Sequence, residues 1–351
     1  MTPTAPLNIF QRLMRKWEAV HPYNAAQVLV IRRQPDRATL TTAWNEALVS
    51  AGLGPVRVSS HGYSFERAER SNVAFPTTSL SEHISTELNR PFDNPSELPF
   101  RPFVIAHGDR FYAGVVYQHW IADSTSIRML LREWFVRVYD PAAAQRQPLR
   151  LQRHGYWNTV GPNRSGWDVL GSALGMIRRH TRLRRAQKID STALAEHRTC
   201  FELFDAPDGL INRVRAAAAS RGVKVNDLFL AALAEACATN VPMQRRRNRV
   251  DVAVGSIVDL RPFTRDDLSS TFGVFLGFTN VVCQPRELAD FEHLLQVVAA
   301  QTRVQKATGV APASLIWMAA ATSIGKLSRP DELYHFYRKE LPLAGGIFLL
   351  Y

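Results

Sequence analysis

The order of segments predicts an α/β (α+β) chain built as two similar-sized halves, and three observations carry that prediction. β-Prone runs alternate with stretches whose apolar residues recur at helical spacing. The 351 residues exceed what one hydrophobic core usually organises. Neither G-x-G-x-x-G nor a P-loop occurs, so no nucleotide-binding fold is signalled. The expected division is 1–145 as a first lobe, 146–197 as a basic connection and 198–351 as a second lobe.

The opening stretch "LNIFQRLMRKWEAVHPYNAAQVLVIRRQPDRATLTTAWNEALVSAGLG" reads as helix, strand, helix. "AAQVLVI" is β-prone and ends at a charged turn. Leu40, Ala43, Trp44, Ala47, Leu48 and Ala51 then share one helical face, with Gly52 placed to cap the end. "RPFVIAHGDRFYAGVVYQHW" holds two β-rich runs around His107 to Arg110, which predicts a hairpin. Ile127, Leu130, Leu131, Trp134, Phe135 and Val138 follow at i, i+3, i+4, i+7, i+8 and i+11, a helix stripe for which Asp123 and Ser124 are both good N-caps.

From Asp140 to His197 Pro, Gly, Gln and Arg accumulate, the mark of a partly helical connection. Beyond it "TCFELFDA" reads as a strand and "DGLINRVRAAAASRG" as a helix ending at Gly222. "VNDLFLAALAEACA" reads as a buried helix capped by Asn226. "RVDVAVGSIVDLRPF" alternates like a strand and stops at Arg261-Pro262. "FGVFLGFTNVVCQP" is a further strand whose glycines mark a bend. The closing "ELPLAGGIFLLY" reads as a strand begun and not followed up, so a shortened second lobe is expected.

Bulk properties exclude several classes. Hydrophobic residues at 46% and charged residues at 21% fit an ordinary globular protein. No apolar run approaches the roughly 18 to 20 residues of a membrane span, and the first residues lack the order of a secretory signal. Cys200, Cys237 and Cys283 lie far apart, which argues for a reducing compartment and a cytoplasmic location. The net charge of +12 could attract nucleic acid, acidic lipid or a phosphate-bearing substrate. Few aromatic residues interleave the basic cluster, which speaks against nucleic acid. Trp167, Leu170, Leu174 and Ile177 followed by six basic residues from Arg178 to Lys188 suit peripheral membrane contact or carrier-protein docking, or simply a solvated connection. The histidines show no H-E-x-x-H spacing, so no metal is expected, and no G-x-S-x-G marks a serine hydrolase.

The segment "YAGVVYQHWIADSTSIRMLL" is the one that can carry chemistry. It sets His119 on the short connection from a buried strand to a helix start, with Asp123 four residues on. Spacing of this kind is common. It fits a packed histidine beside a capping aspartate as well as a base presented at a strand end.

The wider context resembles the CoA-dependent acyltransferase superfamily, which includes chloramphenicol acetyltransferase and the condensation domains of nonribosomal peptide synthetases. That family carries an apolar strand, H-H-x-x-x-D-G and then a helix. "HPYNAAQVLVIRR…ATLTTAWNEAL", "RGVKVNDLFLAALAEA" and "VAVGSIVDLRPF" resemble its opening strand and helix, its N-D helix and its D-L-R-P strand, in the same order. The resemblance covers most of residues 1 to 285. It implies two chloramphenicol-acetyltransferase-like lobes, each a mixed sheet with helices, with an active-site channel between them.

By position His119 would be the general base that takes a proton from an acceptor hydroxyl or amine as it attacks a thioester. Asp123 would pair with Arg261 to hold the motif loop rather than act on the imidazole. Ser124, at the family's glycine, would offer a backbone N–H near the oxyanion, with Ser126 and Gln118 as neighbours; Gln118 stands where the family has its first histidine. The implied activity is transfer of an acyl group from acyl-CoA or a phosphopantetheine thioester on an acyl carrier protein to an alcohol or amine, with no bound cofactor. The rival expectation, motivated by Gln118, Ser124 and the chain's end, is an inactive condensation-like module that binds a carrier protein or an acylated ligand.

Overall fold

The structure is a computed structural model. It describes residues 4–33, 35–60, 62–67, 70–92, 97–108, 110–144, 149–151, 175, 180–189, 197–244, 248–264, 266–309, 311, 314 and 342–347. The chain forms two compact units that are discontinuous in sequence. The first takes Met1–Val160, Arg198–Leu203 and Thr264–Phe275; the second takes Gly161–His197, Phe204–Phe263 and Leu276–Tyr351.

In the first unit α1 spans Ile9–Glu18, capped by Asn8, whose side chain accepts from the Gln11 N–H. Strand β1 is Asn24–Ile31 and helix α2 is Arg37–Ala51. The apolar stripe expected on α2 is buried throughout, and Gly52 ends it at φ 67°, the left-handed turn that glycine adopts without cost. A small hairpin, β2 (Val56–Ser59) with β3 (Gly62–Phe65), and helix α3 (Leu80–Asn89) follow. Strands β4 (Phe100–His107) and β5 (Arg110–Gln118) form the expected hairpin. The sheet order is β1-β5-β4, all antiparallel, so β5 is central. At Gly114 of β5 a Cβ would lie 2.5 Å from the Gln27 carbonyl oxygen and 2.7 Å from the Phe103 ring, so only glycine fits there.

Leu80, Ile84 and Leu88 of α3 pack on Phe103, Ile105, Tyr112 and Val116 of this sheet. Helix α4 (Ser124–Tyr139) packs on α2, with Trp44 and Trp134 edge to face at 5.1 Å. Ile127, Leu130, Leu131 and Trp134 are buried as the periodicity required, while Phe135 and Val138 of the same stripe are half-buried. Strand β6 (Arg150–Leu151) completes this stretch.

The second unit holds β7 (Lys188–Ile189), α5 (Leu210–Ser220), α6 (Val225–Asn240), β8 (Met243–Gln244) and β9 (Val252–Asp259). Strand β10 (Thr271–Phe272) belongs to the first unit and pairs in parallel with β6. Then come β11 (Leu276–Cys283), α7 (Phe291–Ala307) and β12 (Gly345–Ile347). Strand β9 is central, antiparallel to β11 and parallel to β12. Leu230, Ala231 and Ala234 of α6 and Leu294, Leu295 and Val298 of α7 pack on Val252, Val254, Val281 and Cys283.

Two element expectations are corrected. Residues 199–206, read as a strand, form none. The Phe201 N–H goes instead to Ser85 Oγ, and Thr199 exchanges two bonds with the Asn89 side chain. Asn226 is not the cap of α6: Lys224 is, and its N–H donates to Asp227 Oδ2 at 2.9 Å. Most of 146–197 lies outside the described residues. Within 180–189, Arg182, Arg184 and Arg185 are exposed while Leu183 and Ala186 are buried.

Candidate active site

The site grows from the end of β5. Its last residue, Gln118, closes a turn by accepting the Ile121 N–H on its carbonyl at 3.0 Å, which puts His119 at the first corner. The His119 N–H is taken by the Tyr23 carbonyl at 3.1 Å. From Tyr117 to Asp123 every residue is buried except His119, which stays partly exposed. The imidazole lies stacked on the Tyr23 ring at 5.6 Å and edge-on to Tyr117 at 5.8 Å.

Its Nδ1 lies 3.3 Å from the Ala122 carbonyl oxygen. A carbonyl only accepts, so Nδ1 carries the proton and the neutral ring keeps its lone pair on Nε2. Burial holds this imidazole below its ordinary pKa of 6.5; the Ala122 carbonyl and the charge of Asp123 pull the other way and do not overcome it. The result is a ring that is neutral near pH 7, with a lone pair on its outer nitrogen. Burial likewise raises the Tyr23 and Tyr117 phenols, so both stay neutral hydrogen-bearing neighbours.

Asp123 does something else. It is the N-cap of α4, 1% exposed, and its Oδ1 accepts the Ser126 N–H at 2.8 Å. Its Oδ2 accepts the Phe275 N–H at 2.9 Å, and its own N–H donates to the Gly273 carbonyl at 3.0 Å. Ser126, fully buried, donates its Oγ–H to the same Gly273 carbonyl at 2.8 Å and accepts the Gly273 N–H at 3.0 Å. Together they stitch the start of α4 to residues 273–275. Ser124 is the first residue of α4 and donates from Oγ to Gln27 Oε1 of β1 at 3.3 Å.

Gln118 is fully buried and donates from Nε2 to Glu18 Oε1 at 2.6 Å. Arg261, in the second unit just past β9, is 8% exposed; its N–H and guanidinium both reach Asp259, at 3.0 and 3.3 Å. The fold therefore brings His119, Asp123, Ser124, Ser126 and Gln118 into one strand-to-helix connection. Tyr23, Glu18, Gln27 and the 273–275 segment complete that connection and carried no sequence signal. All four are non-local partners, and no periodicity announces those. Among the described residues no group of three or more His, Cys, Asp or Glu is placed to hold a metal. None of their helices is long and apolar enough to cross a membrane.

The fold is similar to that of solved condensation domains and nonribosomal peptide synthetases. The tallysomycin biosynthesis protein TlmII superposes with a TM-score of 0.62 at 14% identity, over 98% of this chain and 82% of that one. The first condensation domain of the calcium-dependent antibiotic synthetase, in complex with a substrate analogue, gives 0.63 at 13% identity over 88% and 76%. The X-domain–OxyB complex from teicoplanin biosynthesis gives 0.55 at 17% identity over 91% and 74%. No family model and no curated protein sequence matches the chain.

Proposed function

We propose that this chain transfers an acyl group from a CoA or carrier-protein thioester to a hydroxyl or amine, with His119 as general base. The observation that carries the reading is the Nδ1–H contact to the Ala122 carbonyl, which leaves a lone pair on Nε2 of a partly exposed, neutral imidazole. In the step, the acceptor oxygen or nitrogen forms a bond to the thioester carbonyl carbon while Nε2 takes its proton. The tetrahedral intermediate then collapses, the C–S bond breaks and the imidazolium returns the proton to the departing thiolate. No acyl-enzyme forms. The condensation domains among the structural neighbours support the class of reaction, and carrier-borne thioesters are the donors that fit it.

Asp123 and Arg261 belong to the same proposal as the pair that joins the motif loop to the D-L-R-P strand end. A double-mutant cycle with Asp123→Ala and Arg261→Ala tests it. Coupling of about 3 kcal/mol is expected for a buried pair, and additive effects would contradict it. Contact of Arg182, Arg184 and Arg185 with an anionic surface is a further expectation, read by co-sedimentation with anionic vesicles.

The experiment is thiol release from a panel of acyl-CoAs and acylated carrier proteins with alcohol and amine acceptors. Turnover that falls at least about 100-fold in His119→Ala is expected for loss of a general base. Equal rates in the two proteins would remove His119 from that role. The second reading, an inactive module that binds a carrier or acylated ligand, is favoured by Ser124 and Gln118 at the motif's glycine and first-histidine positions. Carrier binding with no thioester cleavage by any member of the panel would select it.

A further inference from the structure

We propose that α1 is the positioning clamp of His119, with Glu18 as its decisive residue. By holding Gln118 and Trp120, the residues on either side of the base, it keeps Nδ1 on the Ala122 carbonyl and the lone pair on Nε2. The proposal rests on the reading of His119 as base.

Gln11, Arg15 and Glu18 fall at i, i+4 and i+7 and so share one face of α1. Gln11 Nε2 donates to the Trp120 carbonyl at 3.0 Å. The Arg15 guanidinium lies 5.3 Å from the Trp120 ring centroid, within cation–π range. Glu18 accepts from Gln118 Nε2 at 2.6 Å. The residues on either side of His119 are thus gripped from one helix face, some 100 residues away in sequence.

The chemistry of that face is unfavourable for mere cohesion. Gln11 and Gln118 are fully buried, and among the described residues Gln118 Oε1 has no hydrogen-bond partner. Glu18 ends a helix, where the dipole opposes a carboxylate. Burial raises its pKa above 4.5, with Gln118, Arg15 and Trp120 acting in the other direction. Leucine and methionine would pack the same space without those costs. What the polar set supplies instead is direction. Hydrogen bonds to fixed atoms set the orientation of the turn, and a base displaced by about 1 Å can lose 100-fold in rate.

The test compares wild type with Glu18→Leu/Gln118→Met, which removes both partners and leaves no orphaned amide, and with Glu18→Gln, which keeps one acceptor. The expected result has three parts. In the double variant kcat falls about tenfold with KM within about twofold, while the thermal midpoint stays at or above wild type. Glu18→Gln recovers part of the loss. The 15N spectrum of His119, assigned by difference from His119→Ala, shows only the Nδ1–H tautomer in wild type and both tautomers in the double variant.

A double variant with wild-type kcat and the wild-type tautomer overturns the proposal. Should the double variant not fold, Glu18→Gln and Gln11→Met are read by the same spectrum. If wild type cleaves no thioester, the functional reading fails on its own, and the tautomer comparison still decides whether α1 orients the ring.

Discussion

Two carboxylates hold the connection that carries His119, and they do it in contrasting ways. Asp123, on the helix side, binds backbone: it accepts two main-chain N–H groups and anchors residues 273–275 to the start of α4. Glu18, on the α1 side, is spent on a side chain, accepting from Gln118 Nε2. A buried carboxylate that satisfies backbone donors is architecture, because a main-chain N–H left unpaired in the interior is costly. A carboxylate that meets only side chains could be replaced together with its partner. The contrast predicts that the first sets stability and the second sets the base.

Asp123→Ala should break the comparison's structural half most severely. It strands the Ser126 and Phe275 N–H groups in the interior, at a cost of roughly 3 kcal/mol or more, read from the urea midpoint at constant m. A loss below about 1 kcal/mol would show that the 273–275 anchor holds without it. Ser126→Ala removes the hydroxyl that both donates to and accepts from Gly273, and about 1–2 kcal/mol is expected by the same measurement.

The pH dependence of stability sharpens the contrast further. Glu18 is raised above 4.5 in the fold, so its contribution is whole below that pH and is lost as pH rises through its folded value. Replacing it together with its partner, as in Glu18→Leu/Gln118→Met, should flatten the stability profile across that window without lowering stability at neutral pH. His119 is held below 6.5, so the fold loses stability as pH falls from 6.5 towards the folded value, a slope that His119→Ala removes. The smallest effect is at the cap of α2, where Gly52→Ala forces a left-handed backbone on alanine for about 1 kcal/mol.

Much of this arrangement was legible in the chain itself. The stripes on α2 and α4 and the hairpin of β4 and β5 have local causes, period and turn chemistry, and the structure has each where the residues required it. The expectation for 199–206 failed because β-propensity describes fit to a half-buried pleated surface, and among the described residues this stretch pairs with no strand; Phe204 is 85% exposed. At α6 the Asp227 side chain turned back to the Lys224 N–H, and the helix began one residue before Asn226. Of the site, His119, Asp123 and their neighbours could be named from one short segment. Glu18, Tyr23 and Gly273 could not, since their contacts span about a hundred residues or more and leave no periodic trace.

The most direct measurement is the single-turnover rate of acyl transfer against pH, in wild type and His119→Ala. A rate that rises through one acid limb centred below 6.5, levels by neutral pH and vanishes with the substitution is the result expected for a neutral imidazole base. A wild-type profile flat across that range, or one matched by His119→Ala, would contradict it.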